Sequence, residues 1–190
     1  IIVLLVCLIP ILYVISMSFT PYAELVKRGG FVLIPSKFTL TAYHEMLKDG
    51  SLLNGLWVTV RLSVIGTICN LFCTLLMAYP LSRHDFAARR PITMLTAFTM
   101  LFSGGMIPTF LVVKNLGLID TVWSLVLPGL VSPWNMFIMK NYFQTSIPPE
   151  LYEAASIDGA DNLHLLRSVV LPLSAPIVAV MVLYYGVAHW

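Results

Sequence analysis

Five long apolar segments, separated by polar stretches, dominate the pattern of this chain. A bilayer core of about 30 Å is crossed by roughly 20 apolar residues in helical form. In lipid, every backbone N–H and C=O group has to be bonded within its own segment, which favours helices over isolated strands. The pattern therefore predicts an all-α, polytopic transmembrane helix bundle with spans at residues 1–19, 56–81, 92–113, 122–139 and 169–188.

The composition agrees with a membrane protein. Hydrophobic residues make up 58% of the chain and charged residues 11%, whereas about 25% of a typical soluble domain is charged. The net charge of +2 does not indicate nucleic-acid binding. Cys7, Cys69 and Cys73 lie inside apolar segments and lack metal-ligand spacing, so we expect no metal site.

The sequence begins inside an apolar run without an initiator Met and stops where the last apolar segment has ended. We therefore expect a fragment, with both termini missing, of a single transmembrane domain that covers residues 1–190. Residues 1–19 have no basic start and no small-residue cleavage site, which favours a span over a signal peptide. Within the third span, Ser103-Gly104-Gly105 before Pro108 predicts a break, either a packing kink or a break that lines a cavity.

The polar stretch at residues 140–168 predicts a helix–turn–helix elbow between two spans. Pro149 suits the first turn of a helix, and Gly159 suits the left-handed residue that ends it. Asp161 is a suitable cap for a second short helix. Leu171-Pro172 then marks the return into the membrane.

The first arm of this elbow is acidic and carries small residues. Glu150 and Glu153 fall in its early turns, where carboxylates favour the positive end of a helix. Their spacing places them on one face with Ile157. Ala154 and Ala155 keep the neighbouring surface low, so a partner protein can approach closely.

Fixed spacing extends across the whole elbow: Glu153-Ala154-Ala155, three residues, Gly159, nine residues, Val169, one residue, Leu171-Pro172. This pattern resembles the EAA loop of ABC importer permeases, with Val169 in place of the usual Ile. The alternative is an ordinary amphipathic loop. The resemblance implies the MetI-like fold, with five of an expected six spans present, in the plasma membrane of a bacterium. It places residues 140–168 in the cytoplasm, and the arginine-rich residues 82–91 agree with that orientation.

Further stretches resemble the carbohydrate branch of this family, near the aldouronate and lipoprotein-associated oligosaccharide permeases. They are residues 103–110, 114–118, 122–128, 153–160 and 186–190. The resemblance implies a sugar or oligosaccharide as the cargo. Peptide, amino-acid or polyamine cargo remains an alternative.

The same resemblance implies a set of partners. They are ATPase subunits, a second permease subunit and an extracytoplasmic solute-binding protein. This chain has no Gly-x-x-x-x-Gly-Lys-Ser/Thr loop, so we expect a transport subunit that is not an enzyme and holds no cofactor, with ATP and Mg on the partner ATPase. The residues implied to couple to that ATPase are Glu153, Ala154, Ala155, Asp158, Gly159, Leu171 and Pro172.

Four polar or aromatic residues inside the spans are candidates for the substrate pathway: Asn70, Ser132, Trp134 and Asn135. Their side chains suit stacking on sugars and hydrogen bonding to them. Trp134 as an interfacial anchor and Asn135 as an interhelical hydrogen bonder are alternatives.

Two other classes of membrane protein fit the sequence less well. An ion-coupled carrier tends to place acids inside its spans, and none of the five spans contains Asp or Glu. A membrane enzyme needs clustered His, Asp or Glu, and the only acidic cluster is the elbow, which lacks metal-ligand spacing.

Overall fold

The computed structural model describes residues 2–48, 50–157 and 159–190. This part of the chain is 76% helix and has no strand, which confirms the predicted all-α class. The longer α-helices are α1 (Ile2–Ser18), α2 (Tyr22–Lys27), α3 (Thr41–Lys48), α4 (Ser51–Ser82), α5 (Arg89–Leu101), α6 (Met106–Asn115), α8 (Pro133–Ser146), α9 (Pro149–Ile157) and α12 (Ala175–His189); the short ones are α7 (Trp123–Val126), α10 (Asn162–Leu165) and α11 (Leu171–Leu173). A 3-10 turn at Leu127–Gly129 precedes α8, and a π-helical turn at Leu166–Val170 joins α10 to α11.

The chain forms two compact units, Ile1–Val58 and Thr59–Trp190. In the first unit, the hydroxyl of Tyr13 donates to the carbonyl of Gly30 at 2.6 Å. The hydroxyl of Tyr43 donates to that of Ser18 at 2.8 Å. These bonds tie α1 to the segments that follow it.

The second unit packs around one apolar core. Its buried side chains come from the end of α4, from α8, from the segment that joins α10 to α11, and from α12. They include Leu81, Met139, Phe143, Val170 and Met181. Helix α9, which follows α8, packs against this core through Tyr152 and Ala155.

The predicted spans differ in how continuous they are. The second span is a single helix, α4, which is long and apolar enough to cross a membrane alone. The third is the pair α5 and α6, bent by 118° at the predicted Ser103–Gly105 break, where Gly105 has a φ of 85°. Counting this pair and the bent pair that ends in α12, up to three spans pass by length and composition in the described residues. The predicted count of five is thus supported only in part.

The other spans differ from their predicted bounds. The fourth is interrupted by the 3-10 turn, and α8 continues to Ser146, inside the predicted polar loop. The fifth bends by 83° at Ser174, between α11 and α12. The change of direction therefore comes after Leu171-Pro172, because Pro172 fits the first turn of α11 without breaking it.

Candidate coupling elbow and interhelical polar seam

The coupling elbow consists of α9, a turn and α10, residues 149–165. Helix α9 begins at Pro149 and ends at Ile157, and Gly159 has a φ of 72°. The amide of Ala160 donates to the carbonyl of Ala155 at 2.9 Å, a bond that closes a helix end over a left-handed residue. The predicted conformation of Gly159 is confirmed. Asp158 lies outside the described residues, and its predicted role remains a prediction.

The second arm starts at the predicted cap. The carboxylate of Asp161 accepts a hydrogen bond from the amide of Asn162 at 2.7 Å. The arm continues through the π-helical turn into α11, where Leu171 is half-buried and Pro172 exposed. The predicted coupling residues therefore occupy two places, the tip of the elbow and the segment just before the 83° bend.

The two faces of α9 differ. Glu150, Glu153 and Ile157, whose spacing places them on one face, are exposed, and Ala154 beside them is also exposed. Ala155, in contrast, is half-buried and packs against the core. A partner protein can thus meet the two glutamates and Ala154 directly, while Ala155 fixes α9 to its base.

Arg83, the first residue after α4, contacts Tyr152 of the elbow. Its guanidinium carbon lies 4.5 Å from the ring centroid of Tyr152. Nε and Nη2 each donate to a carboxylate oxygen of Asp85 at 3.0 Å. These bonds raise the pKa of Arg83 and lower that of Asp85, because each charge stabilises the other. Sequence reasoning counted Arg83 only as a charge that sets orientation and missed this contact.

A cleft of about 510 Å³ follows α9. Arg83, Asp85, Tyr152, Glu153 and Ile157 are among the residues that line it. Across the described residues, no three His, Cys, Asp or Glu side chains are grouped as a metal site would require. The cleft places Arg83 and Asp85 beside Glu153 of α9.

A second polar region, the seam, joins α4 to α12. It consists of Thr67, Asn70, Thr74, Tyr185 and His189. The hydroxyls of Thr74 and Tyr185 lie 2.7 Å apart, and Nδ2 of Asn70 lies 3.1 Å from Nε2 of His189. The seam is thus a pair of hydrogen-bonded crossings between two helices.

The seam includes one of the four predicted pathway residues and contacts a second, which is hydrogen-bonded to a third. Asn70 belongs to it and is buried. The amide of Ser132 donates to the hydroxyl of Tyr185 at 3.4 Å, and the hydroxyl of Ser132 accepts from the amide of Asn135. Trp134 is exposed on α8. The pathway role of all four remains a prediction.

Sequence reasoning missed Thr74, Tyr185 and His189. A signal for Thr74 exists in α4, where Ser63, Thr67, Asn70 and Thr74 recur at intervals of three or four and so share one helix face. Gly66 lies on the same side, and a Cβ there would come within 2.5 Å of Nε2 of His189. Its small size lets the His189 ring lie against α4.

Comparison with known proteins identifies the family. A family model described as binding-protein-dependent transport system inner membrane component matches residues 70–188, more than half of the chain. The chain belongs to this family. The matched residues include the elbow and most of the seam, so both regions are parts of an inner-membrane permease domain.

Individual relatives agree with the family. The chain is 47% identical to the polygalacturonan/rhamnogalacturonan transport system permease protein YtcP of Bacillus subtilis (strain 168), over 98% of this chain and 64% of YtcP. It is 44% identical to protein LplC of the same organism, over 96% of this chain and 61% of LplC. The chain thus spans less than two thirds of either relative.

A solved structure confirms the architecture. The chain superposes on a bacterial ABC transporter involved in the import of the acidic polysaccharide alginate with a TM-score of 0.92 at 34% identity. The match covers 100% of this chain and 67% of that chain. The MetI-like permease fold expected from the EAA resemblance is therefore confirmed.

Proposed function

We propose that this chain is a permease subunit of an ATP-driven importer, that it forms part of a membrane pathway for an oligosaccharide, and that it couples to a separate ATPase through the elbow. One observation carries the proposal. Glu153, Ala154 and Ala155 of the EAA pattern lie on α9 of the elbow, which exposes two glutamates and ends at the left-handed Gly159. An ordinary amphipathic loop does not require a left-handed glycine together with an exposed acidic face.

The partners follow from this assignment. Two ATPase subunits bind ATP and Mg, a second permease subunit completes the pathway, and an extracytoplasmic protein delivers the sugar. Glu153 is exposed, so its carboxylate is free to meet a basic residue of the ATPase. Gly159 keeps the turn that presents it. The elbow faces the cytoplasm of a bacterial cell.

The relatives point to the class of cargo. YtcP is described as a transporter of polygalacturonan and rhamnogalacturonan, and the solved structure as an importer of an acidic polysaccharide. Both descriptions name uronate-containing chains. We therefore take an acidic oligosaccharide as the first cargo to test, ahead of neutral sugars and of peptide, amino-acid or polyamine cargo.

Charge reversal at the elbow tests the coupling role. In the full-length subunit, Glu153→Lys is expected to lower co-purification of the ATPase about tenfold or more, because it places like charges together at the interface. The matched control is Glu45→Lys on α3, another exposed glutamate, which is expected to leave co-purification unchanged. Normal assembly and ATP hydrolysis with Glu153→Lys would refute the coupling role.

Labelling tests the orientation. A cysteine at Ala154, in a background without Cys7, Cys69 and Cys73, is expected to react with an impermeant maleimide in inside-out vesicles and not in intact cells. Reaction in intact cells would place the elbow outside and refute the proposal. Uptake of an oligogalacturonide by the reconstituted importer, with ATP and without it, then tests the energy source and the cargo together.

A further inference from the structure

Arg83 occupies an unusual place between α4 and the elbow. Helix α4 ends at Ser82, whose carbonyl accepts a hydrogen bond from Nε2 of Gln144 at 3.2 Å. The hydroxyl of Ser82 donates to the carbonyl of Tyr79 at 2.7 Å, and the amide of Arg83 donates to the carbonyl of Pro80 at 3.2 Å. The backbone of Arg83 is therefore fixed to the end of the longest helix.

The side chain of Arg83 is held on both of its sides. One face of the guanidinium stacks on Tyr152, in the middle of α9. One edge forms the two-bond fork with Asp85. The side chain of Arg83 is only 20% exposed although that of Asp85 is 67% exposed. A planar, delocalised cation can stack and bond in this way at once, whereas a lysine ammonium cannot.

Tyr152 and Ala155 pack α9 against the apolar core, and the Arg83 stack adds a contact to the end of α4. Arg83 and Asp85 line the cleft along α9 and also a second cleft of about 580 Å³ that Asp161 and Leu163 of the other arm line. The Arg83–Asp85 pair thus stands between the two arms. Beside the first cleft, the stack on Tyr152 joins α9 to the end of α4.

From this geometry we infer that Arg83 is a positioning residue, which together with Tyr152 passes displacement of the elbow to α4. The inference rests on the proposed function, since it assumes that an ATPase moves the elbow. A push on α9 reaches Tyr152, then the guanidinium, and then the end of α4. Loss of the stack should leave the subunit assembled but reduce the transport obtained from each ATP.

The test uses the full-length subunit in the complete importer, reconstituted in proteoliposomes, with uptake of an oligogalacturonide and ATP hydrolysis measured on the same preparation. Arg83→Lys and Tyr152→Leu are expected to lower uptake per ATP by about threefold or more, the range that a lost cation–π contact implies. Tyr152→Phe keeps the aromatic face and is expected to stay within about twofold of the unaltered subunit. Arg90→Lys, at an exposed arginine in the first turn of α5, is the matched control.

The outcomes separate the two ideas. If Arg83→Lys lowers assembly and both activities together with an unchanged ratio, the residue is merely structural and the inference fails. If the unaltered subunit shows no ATP-driven uptake, the proposed function fails and the inference falls with it.

A spectroscopic measurement covers variants that do not assemble. A nitroxide at position 154 of the full-length permease is expected to become more mobile with Arg83→Lys or Tyr152→Leu and to keep its mobility with Tyr152→Phe. Equal mobility in all of them would show that the stack does not position α9.

Discussion

The coupling elbow and the seam are built in opposite ways. In the elbow, acids of α9 are exposed, while Leu165, at the end of α10, is buried in the core. In the seam, Asn70 and Thr74 point inward, and large apolar side chains of the same helix, such as Ile68 and Phe72, point outward. The inversion is the one expected if water surrounds the elbow and lipid surrounds the seam, whose helix α4 is long and apolar enough to cross a membrane.

The polar groups of the two regions consequently have different surroundings. In lipid an unbonded polar group is costly, and the seam bonds Nδ2 of Asn70 and the hydroxyl of Thr74 across to α12, although the hydroxyl of Thr67 and Oδ1 of Asn70 have no hydrogen-bond partner among the described residues. In water a carboxylate such as Glu153 is stable without a partner and remains available to another protein. Polar side chains therefore link two helices in the seam and remain exposed in the elbow.

A matched pair of isoleucines gives the largest expected effect. Ile68, near the middle of α4, is 62% exposed, and Ile157, at the end of α9, is 85% exposed. Ile68→Lys is expected to cost about 3 kcal/mol of membrane insertion, since a lysine at the centre of a span is strongly disfavoured. Ile157→Lys is expected to cost about 0.5 kcal/mol or less.

The amount of each variant inserted into membranes measures this difference. If the two substitutions are equally harmful, or equally harmless, then the two surfaces do not meet different solvents and the comparison between elbow and seam is wrong.

Gly159 gives the next largest effect. No atom lies within 4 Å of the position of a Cβ there, so Gly159→Ala meets only the backbone penalty of a left-handed residue, about 1–2 kcal/mol. We expect the amides of α9 to exchange hydrogen several-fold faster. Gly159→Asn is the control, because asparagine tolerates this conformation. Equal exchange in the Ala and Asn variants would contradict the account.

The helical class and the geometry of the elbow were predictable from the sequence because local rules decide them. Apolar length predicts spans. In the elbow, Pro149 begins α9, Gly159 ends it, and Asp161 caps the start of α10. The positions of bends were less predictable. Pro172 is accommodated in a helix start, so the direction changes at Ser174 instead.

Contacts between distant segments were not predictable in the same way. Arg83 meets Tyr152 across a separation in sequence that no periodicity spans, and Tyr185 finds Thr74 only after α4 and α12 have packed. A single sequence gives the polar stripe on α4 but does not identify the helix that faces it.

The Thr74–Tyr185 hydrogen bond gives the next largest expected effect. Thr74→Val is expected to lower the free energy of unfolding by about 1 kcal/mol, as interhelical hydrogen bonds in membranes contribute modestly. Thr145→Val is the control, since Thr145 is exposed and its hydroxyl donates within its own helix to the carbonyl of Asn141. A double-mutant cycle with Tyr185→Phe, followed by unfolding in mixed micelles, isolates the pair; zero coupling would contradict the crossing.

The Arg83–Asp85 pair gives the smallest effect and sharpens the comparison through pH and salt. Its hydrogen bonds hold the pKa of Asp85 below its ordinary value, which is about 3.9. The unfolded chain therefore takes up this proton more readily, so the contribution of the pair is present above about pH 4 and is lost as the pH falls below that value. Because Asp85 is largely exposed, the contribution should be about 0.5 kcal/mol or less.

The difference in unfolding free energy between the unaltered chain and Asp85→Asn measures this contribution. It should shrink between about pH 5 and pH 3, and it should also shrink in about 1 M salt, where the screening length falls to roughly 3 Å. The cost of Thr74→Val should not respond to salt, because neutral groups enclosed between helices are not screened. If salt leaves the cost of Asp85→Asn unchanged, or lowers the cost of Thr74→Val, then the two regions do not differ in solvent as their side chains indicate.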